Sequence, residues 1–176
     1  MNTNPKQQCL AEVGTALTQR GDAWRIASLA TVDSTGVPQV RKVVVRAVDV
    51  EECLVLVYTD RRSGKVSELT AQPQCSLLLW CPERQQQIRM LCRAMLLRDV
   101  AAHWSKVSAS HGVRDYATAM APGTTLEDKV TMELAQAEQN FCVLAFEVLS
   151  IDRLWLSREG HRRQRLSADG VQDICP

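Results

Sequence analysis

The strongest constraint in this sequence is a series of short apolar, β-branched runs joined by connections too short to hold a helix. Residues 24–32 read as a strand, Asp33-Ser34-Thr35-Gly36 as a turn, and the valine-rich stretch 38–48 as the strand returning from it. Asp49, Glu51 and Glu52 mark the next turn, and Leu54-Val55-Leu56-Val57-Tyr58 is a third strand. Runs at 75–80, 86–97, 141–150 and 154–157 continue the set, and 163–166 is a further candidate. Strands joined by short turns pair antiparallel, because a parallel crossover needs a dozen residues or more. Six or seven mostly antiparallel strands with helices at the ends predict a mainly β fold, a small closed or partly split barrel. A doubly wound parallel sheet would alternate strands with helices, and this order does not.

Helical spacing of Leu10, Val13, Ala16 and Leu17 predicts an N-terminal helix over about 5–20. Ser63 is placed to cap a short helix through Leu69, stopped before Pro73. The stretch 100–116 reads as partly helical, and Thr125-x-x-Asp128 as the cap of a helix through Glu138, with Glu127, Asp128 and Glu133 on its exposed face. No Pro/Gly/Ser-rich linker divides the 176 residues, so one domain over 1–176 is expected.

Several function classes lose support at this level. A net charge of +1 supplies no global field for nucleic acid or membranes, and no apolar run approaches the length of a membrane helix. The polar start of the chain lacks a secretory pattern, which predicts a cytoplasmic protein. The seven cysteines contain no C-x-x-C pair and no histidine at zinc-finger spacing, so they read as reduced, mostly buried thiols and not as a metal site. There is no G-x-G-x-x-G, no phosphate-binding loop and no G-x-S-x-G elbow. His103 and His111 read as surface or packing residues. If the chain is catalytic, a bound cofactor carries the reactive chemistry.

Three basic clusters on or beside apolar strands need an explanation. In Arg41-Lys42-Val43-Val44-Val45-Arg46, alternation places Arg41 on one face and Lys42 and Arg46 on the other. Tyr58-Thr59-Asp60-Arg61-Arg62-Ser63-Gly64-Lys65 runs from a strand into a helix start, where hydroxyls and cations favour an anion. His161-Arg162-Arg163-Gln164-Arg165 follows Trp155. Each alone also reads as solvated charge or a protected strand edge.

Taken in order, these clusters resemble the pyridoxamine-phosphate-oxidase-like FMN-binding split barrels over about 24–166. The carriers are the basic, aliphatic strand 41–46, Tyr58-Thr59 followed by Ser63-Gly64-Lys65, and Gln72-Pro73 before Leu77-Leu78-Leu79-Trp80. Gln86-Gln87-Ile88-Arg89 comes next, and Trp155 stands ten residues before Arg165. The resemblance implies FMN as cofactor, with Arg41 and Lys65 on its phosphate and Lys42, Arg46 and Ser63 in the same site. It also implies that Val43, Val44, Tyr58 and Thr59 line the flavin, and that Gln87, Trp155 and Arg165 reach it from the other subunit of a homodimer or from its edge.

The departures from the family pattern bear on the substrate side. Gly64 stands where the family has an arginine, and Arg61 or Arg62 is a candidate to compensate. Arg46 replaces a lysine, and His161-x-Arg163 reverses an Arg-x-His pair; Arg46, His161 and Arg163 are therefore the candidate substrate contacts. The resulting expectation is an FMN-dependent oxidoreductase moving a hydride from an unidentified small molecule to flavin. A non-catalytic FMN carrier or sensor, and a basic interaction module without flavin, are the alternatives.

Overall fold

The computed structural model describes residues 4–126 and 131–176. Helix α1 (Pro5–Thr18) starts with a full capping box between Asn4 and Gln7. Strands β1 (Ile26–Val32), β2 (Pro38–Asp49) and β3 (Leu54–Asp60) follow, then α2 (Gly64–Ala71), β4 (Gln74–Cys81) and β5 (Gln86–Leu96). Helix α3 (Ala101–Ser108) and a 3-10 turn (His111–Tyr116) precede a short 3-10 turn (Leu134–Gln136) and α4 (Ala137–Asn140). The chain ends in β6 (Phe141–Trp155), β7 (Arg162–Ser167) and β8 (Gly170–Ile174).

The strand order is β3-β2-β1-β4-β5-β6-β7-β8, every pair antiparallel, and β3 also pairs with β6. That last pairing closes six strands into a barrel and leaves β7 and β8 as an extension, the split-barrel architecture expected from the turns. Inward residues such as Leu29, Val45, Leu77, Ile88 and Phe146 fill it, and α1 adds Leu10 and Val13. A second core lies outside β3 and β6, where Phe141, Val143 and Ala145 pack with Val107, Tyr116 and Ala117.

Four local expectations change. Residues 23–25 form a 3-10 turn and not the start of β1, because the Asp22 carboxylate caps the Trp24 amide at 2.9 Å. β6 is one strand of 15 residues where two were expected, since Asp152 stays in register with its neighbours. β8 is an additional strand. The helix expected through Glu138 is reduced to the 3-10 turn and α4, and Glu127 and Asp128 lie outside the described residues. All seven cysteines are free; five are buried, Cys53 is half-buried and Cys175 is exposed. No described helix is long and apolar enough to cross a membrane.

Candidate functional site: a basic corner beside a cleft

The site begins where β3 ends and α2 begins. The Lys65 ammonium donates to the Thr59 hydroxyl at 2.9 Å and the Ser63 hydroxyl at 3.0 Å. Ser63 precedes α2 without capping it, because its own hydroxyl donates to the Asp60 carbonyl at 2.7 Å. Arg41 reaches the same corner from β2. It donates to the Thr31 hydroxyl and pairs with Glu68 at 2.8 Å, and Thr31 donates to Glu68 at 2.5 Å. Burial, followed by repulsion from Arg41, holds the Lys65 ammonium below the ordinary lysine range. The sequence thus places Arg41, Thr59, Ser63 and Lys65 in one cluster, and the structure adds Thr31 and Glu68.

Beyond this corner runs a cleft of about 270 Å³, walled by Lys42, Val43, Val44, Arg46, Tyr58 and Lys65 on the strand side and by Asp115, Tyr116 and Pro122 on the other. Arg46 is the extra residue of a β-bulge between Val45 and Ala47, which turns it out over the Tyr58 ring at 5.7 Å. Tyr58 exchanges a hydrogen bond with His103 Nδ1 at 2.9 Å and packs edge-on against Phe141. Lys42 donates to Ser28 at 2.9 Å.

A second cavity of about 370 Å³ adjoins the cleft and shares Arg46, Tyr58 and Tyr116 with it. Arg25, Lys106 and Ser110 join Arg46 there, with Leu17, Val45 and Val107 as apolar wall. None of the described lining residues is acidic. Arg25, Arg46 and Lys106 make no ion pair among the described residues; Arg25 donates to the Leu17 carbonyl at 2.7 Å.

The remaining expected residues lie elsewhere. Gln87 faces outward on β5, while its neighbour Gln86 points inward; with its amide oxygen turned to the surrounding donors, Gln86 accepts from Trp155 Nε1 at 3.0 Å. Trp155 therefore sits apart from Gln87, stacked by Arg153 and Arg162. Arg165 is exposed beside Arg89 and Asp152. The three expected substrate contacts do not meet in one chain. Arg46 is at the cleft, His161 Nδ1 accepts from the Ser157 amide, and Arg163 is bound twice by Asp152, which also holds Arg89. Nor do Arg61 and Arg62 enter the basic corner: Arg61 donates to the Phe141 carbonyl, and Arg62 pairs with Asp60 at 2.7 Å.

Sequence reasoning missed Arg25, Lys106, His103 and Tyr116. They lie in helices or turns with no periodic signal toward the barrel: Arg25 ends the 3-10 turn before β1, and the folding of the 101–116 segment over β3 brings the other three to it.

The profile described as the pyridoxamine 5'-phosphate oxidase FMN-binding domain matches residues 7–98, more than half of the chain. The chain belongs to this family. A pyridoxine/pyridoxamine 5'-phosphate oxidase from Chromohalobacter salexigens is 44% identical over 63 residues, covering 36% of this chain and 28% of that protein. One from Anaeromyxobacter dehalogenans is 31% identical over 112 residues, 64% of this chain and 56% of its own length. The match thus spans from about a quarter to just over half of these oxidases. A dihydrophenazinedicarboxylate synthase of Pseudomonas chlororaphis is 28% identical over 156 residues, 82% of this chain and 69% of that one.

Among solved structures, this family member superposes on a pyridoxamine 5'-phosphate oxidase-related, FMN-binding protein of Nostoc punctiforme with a TM-score of 0.76, at 21% identity over all of both chains. PhzG of Burkholderia lata, solved with tetrahydrophenazine-1-carboxylic acid, gives 0.72 at 23% identity, covering 99% of this chain and 93% of that one. Both likenesses establish the fold.

Proposed function

We propose that this chain is an FMN-dependent oxidoreductase, working as a cytoplasmic homodimer, that takes a hydride from a small anionic molecule. The observation that carries the reading is Lys65. Among the described residues its half-buried ammonium is bonded only to hydroxyls, and it stands beside a second cation, Arg41. A phosphate dianion there would accept from Lys65, Arg41, Thr59 and Ser63 and relieve the repulsion between the two cations. The residues therefore fit the phosphate end of FMN, which supplies two-electron chemistry when bound.

The chain's own residues bind and orient. The cleft wall of Val43, Val44 and Tyr58 offers a surface for a flat ring, with Lys42 and Arg46 at its edge. The adjoining cavity would hold the acidic group of the substrate on Arg25, Arg46 and Lys106, none of which has a carboxylate partner among the described residues. Such a cavity suits a reduced ring acid, the kind of compound named by the phenazine relatives. The altered substrate positions favour it over pyridoxamine phosphate.

Two copies are proposed because one chain does not gather the whole expected site. Gln87 and Arg165 lie on the outer sheet face, several strands from Lys42. That face carries exposed Val40, Ile26, Trp80 and Leu91, an apolar surface a second copy would cover. The free buried thiols fit a reducing compartment.

The test is to purify the protein, record its visible spectrum with and without added FMN, and then expose the complex anaerobically to dihydrophenazine carboxylates and to pyridoxine phosphate. Flavin bands that bleach with a phenazine donor are expected. Bound flavin that no donor reduces favours a carrier, and a protein that takes up no FMN contradicts the reading.

A further inference from the structure

Arg62 is one of the cations that the sequence makes available for the phosphate, yet its donors are committed elsewhere. Nε and Nη2 reach the two Asp60 oxygens at 3.1 and 2.7 Å. Nη2 also donates to the Thr118 carbonyl at 2.9 Å, and Nη1 to the Ala119 carbonyl at 3.1 Å. Asp60 is buried, and its Oδ1 accepts the Arg62 amide at 2.8 Å, which fixes the turn that carries the guanidinium. The fork therefore spans from the end of β3 to the segment 116–122.

That segment is the far wall of the flavin cleft, to which it contributes Tyr116 and Pro122. It belongs to no strand, apart from one bridge between Thr118 and Met132. Its carbonyls can be counted. Tyr116 O accepts from Asn140 Nδ2 at 2.8 Å, and Ala117 O from the Glu133 amide at 2.6 Å. The next two, Thr118 O and Ala119 O, accept from Arg62. Tyr116 and Ala117 are buried, whereas Met120 is exposed. Arg62 grips the strap where its buried root gives way to its exposed tip, the place where a local opening would start.

We propose that Arg62 is a positioning residue that latches the 116–122 strap over the cleft, and so sets how long flavin remains bound. The inference rests on the flavin reading above. Asp60 is the anchor of the latch: it neutralises Arg62 and holds the fork in the plane that meets both carbonyls. A lysine cannot replace it, since a single ammonium cannot span a carboxylate and two carbonyls in this fixed geometry.

Two roles for Arg62 give opposite signs for Asp60→Asn. If Arg62 is a latch, loss of the carboxylate loosens it and FMN leaves faster. If Arg62 is a reserve phosphate ligand restrained by Asp60, the same change frees it and FMN leaves more slowly. The experiment measures FMN release from wild-type, Arg62→Ala, Arg62→Lys and Asp60→Asn proteins by the recovery of flavin fluorescence. Amide hydrogen exchange is followed on the same proteins without ligand.

Release about tenfold faster in all three variants is expected, the scale of one charge-assisted hydrogen bond. Exchange should rise at Ala117 and Ala119, with β1–β5 unchanged as the control for folding. Slower release from Asp60→Asn, or unchanged release or unchanged strap exchange in both Arg62 variants, overturns the latch. A wild-type protein that binds no FMN sinks the flavin reading and the latch with it. A wild-type protein that binds FMN while the variants fail these expectations sinks the latch alone.

Discussion

Lys42 and Arg165 stand at opposite ends of one cross-strand row on the outer face of the sheet. The row runs Lys42, Ser28, Leu78, Arg89, Asp152, Arg165, each directly opposite the next. Five inter-strand steps separate its ends, roughly 24 Å along the sheet. In the proposed dimer, a second copy would supply that arginine to a flavin beside Lys42. Mixing Lys65→Ala with Arg165→Ala protein should therefore restore one intact site per mixed dimer. Each variant alone should bind FMN poorly, and the mixture should recover flavin on a quarter of all its sites. A mixture no better than its components speaks against shared sites.

Arg41→Ala should weaken FMN binding by about 1.5–3 kcal/mol, the range for hydrogen bonds to charged groups. The Glu68 carboxylate would then lose its ion pair as well, so a melting curve must accompany the titration. Unchanged affinity in a folded variant removes Arg41 from the phosphate site.

The pH dependence of binding follows from Lys65. Its ammonium loses its proton below the ordinary value of 10.5, chiefly because it is buried and secondly because Arg41 is near. A phosphate prefers the protonated form, so FMN affinity should fall as pH rises through that depressed value. Titrations carried up from neutral pH toward the ordinary 10.5 should show the decline in wild-type protein and a flatter curve in Lys65→Met. Equal slopes in both would assign the titration to another group.

Asp152 governs the acid side of stability. Hydrogen bonding from Arg163, with the charge of Arg89 beside it, holds its carboxyl below the ordinary 3.8. A carboxyl depressed in the folded state stabilises the protein above that ordinary value, and the contribution is lost as pH falls through the folded one. Asp152→Asn should cost about 1–2 kcal/mol near neutral pH, since both arginines remain partly solvated. The difference from wild type should shrink as pH falls below the ordinary 3.8 and through the depressed value, as thermal melts will show. A penalty that persists undiminished in acid would mean that packing, not charge, makes the contribution.

Phe141 links the outer core to the site. It is fully buried and touches Tyr58, Trp104 and Tyr116 by ring contacts. Phe141→Ala should destabilise by about 3–5 kcal/mol in chemical denaturation. Phe141→Leu, closer in volume, should lose much less and keep FMN binding. Equal losses in the two would show that ring shape matters more here than filled volume.

The barrel was legible because valine-rich runs and short turns leave the chain little choice but antiparallel pairing. That Arg41, Thr59, Ser63 and Lys65 would share one basic corner was legible too, since Thr59, Ser63 and Lys65 are close in sequence and Arg41 sits on the inward register of β2. What sequence reading could not provide was partnership across distance. Asp60 claims Arg62 and Asp152 claims Arg163, which turns both cations away from the corner, whereas Glu68 pairs with Arg41 inside it. Arg25, Arg46 and Lys106 come from three elements and share one cavity only after folding. The division of β6 at Asp152-Arg153 failed for the same reason: polar residues that look like a break are paired across the sheet.

Lys65 and its neighbours are proposed to hold the phosphate of a flavin. Titration of ligand-free protein with FMN and with riboflavin, which lacks the phosphate, tests it most directly, in wild type and in Lys65→Ala. FMN should bind wild-type protein at least about tenfold more tightly than riboflavin, and Lys65→Ala should erase most of that difference while leaving riboflavin binding unchanged. Equal binding of the two flavins by wild-type protein, or an undiminished preference for FMN in Lys65→Ala, would contradict the account.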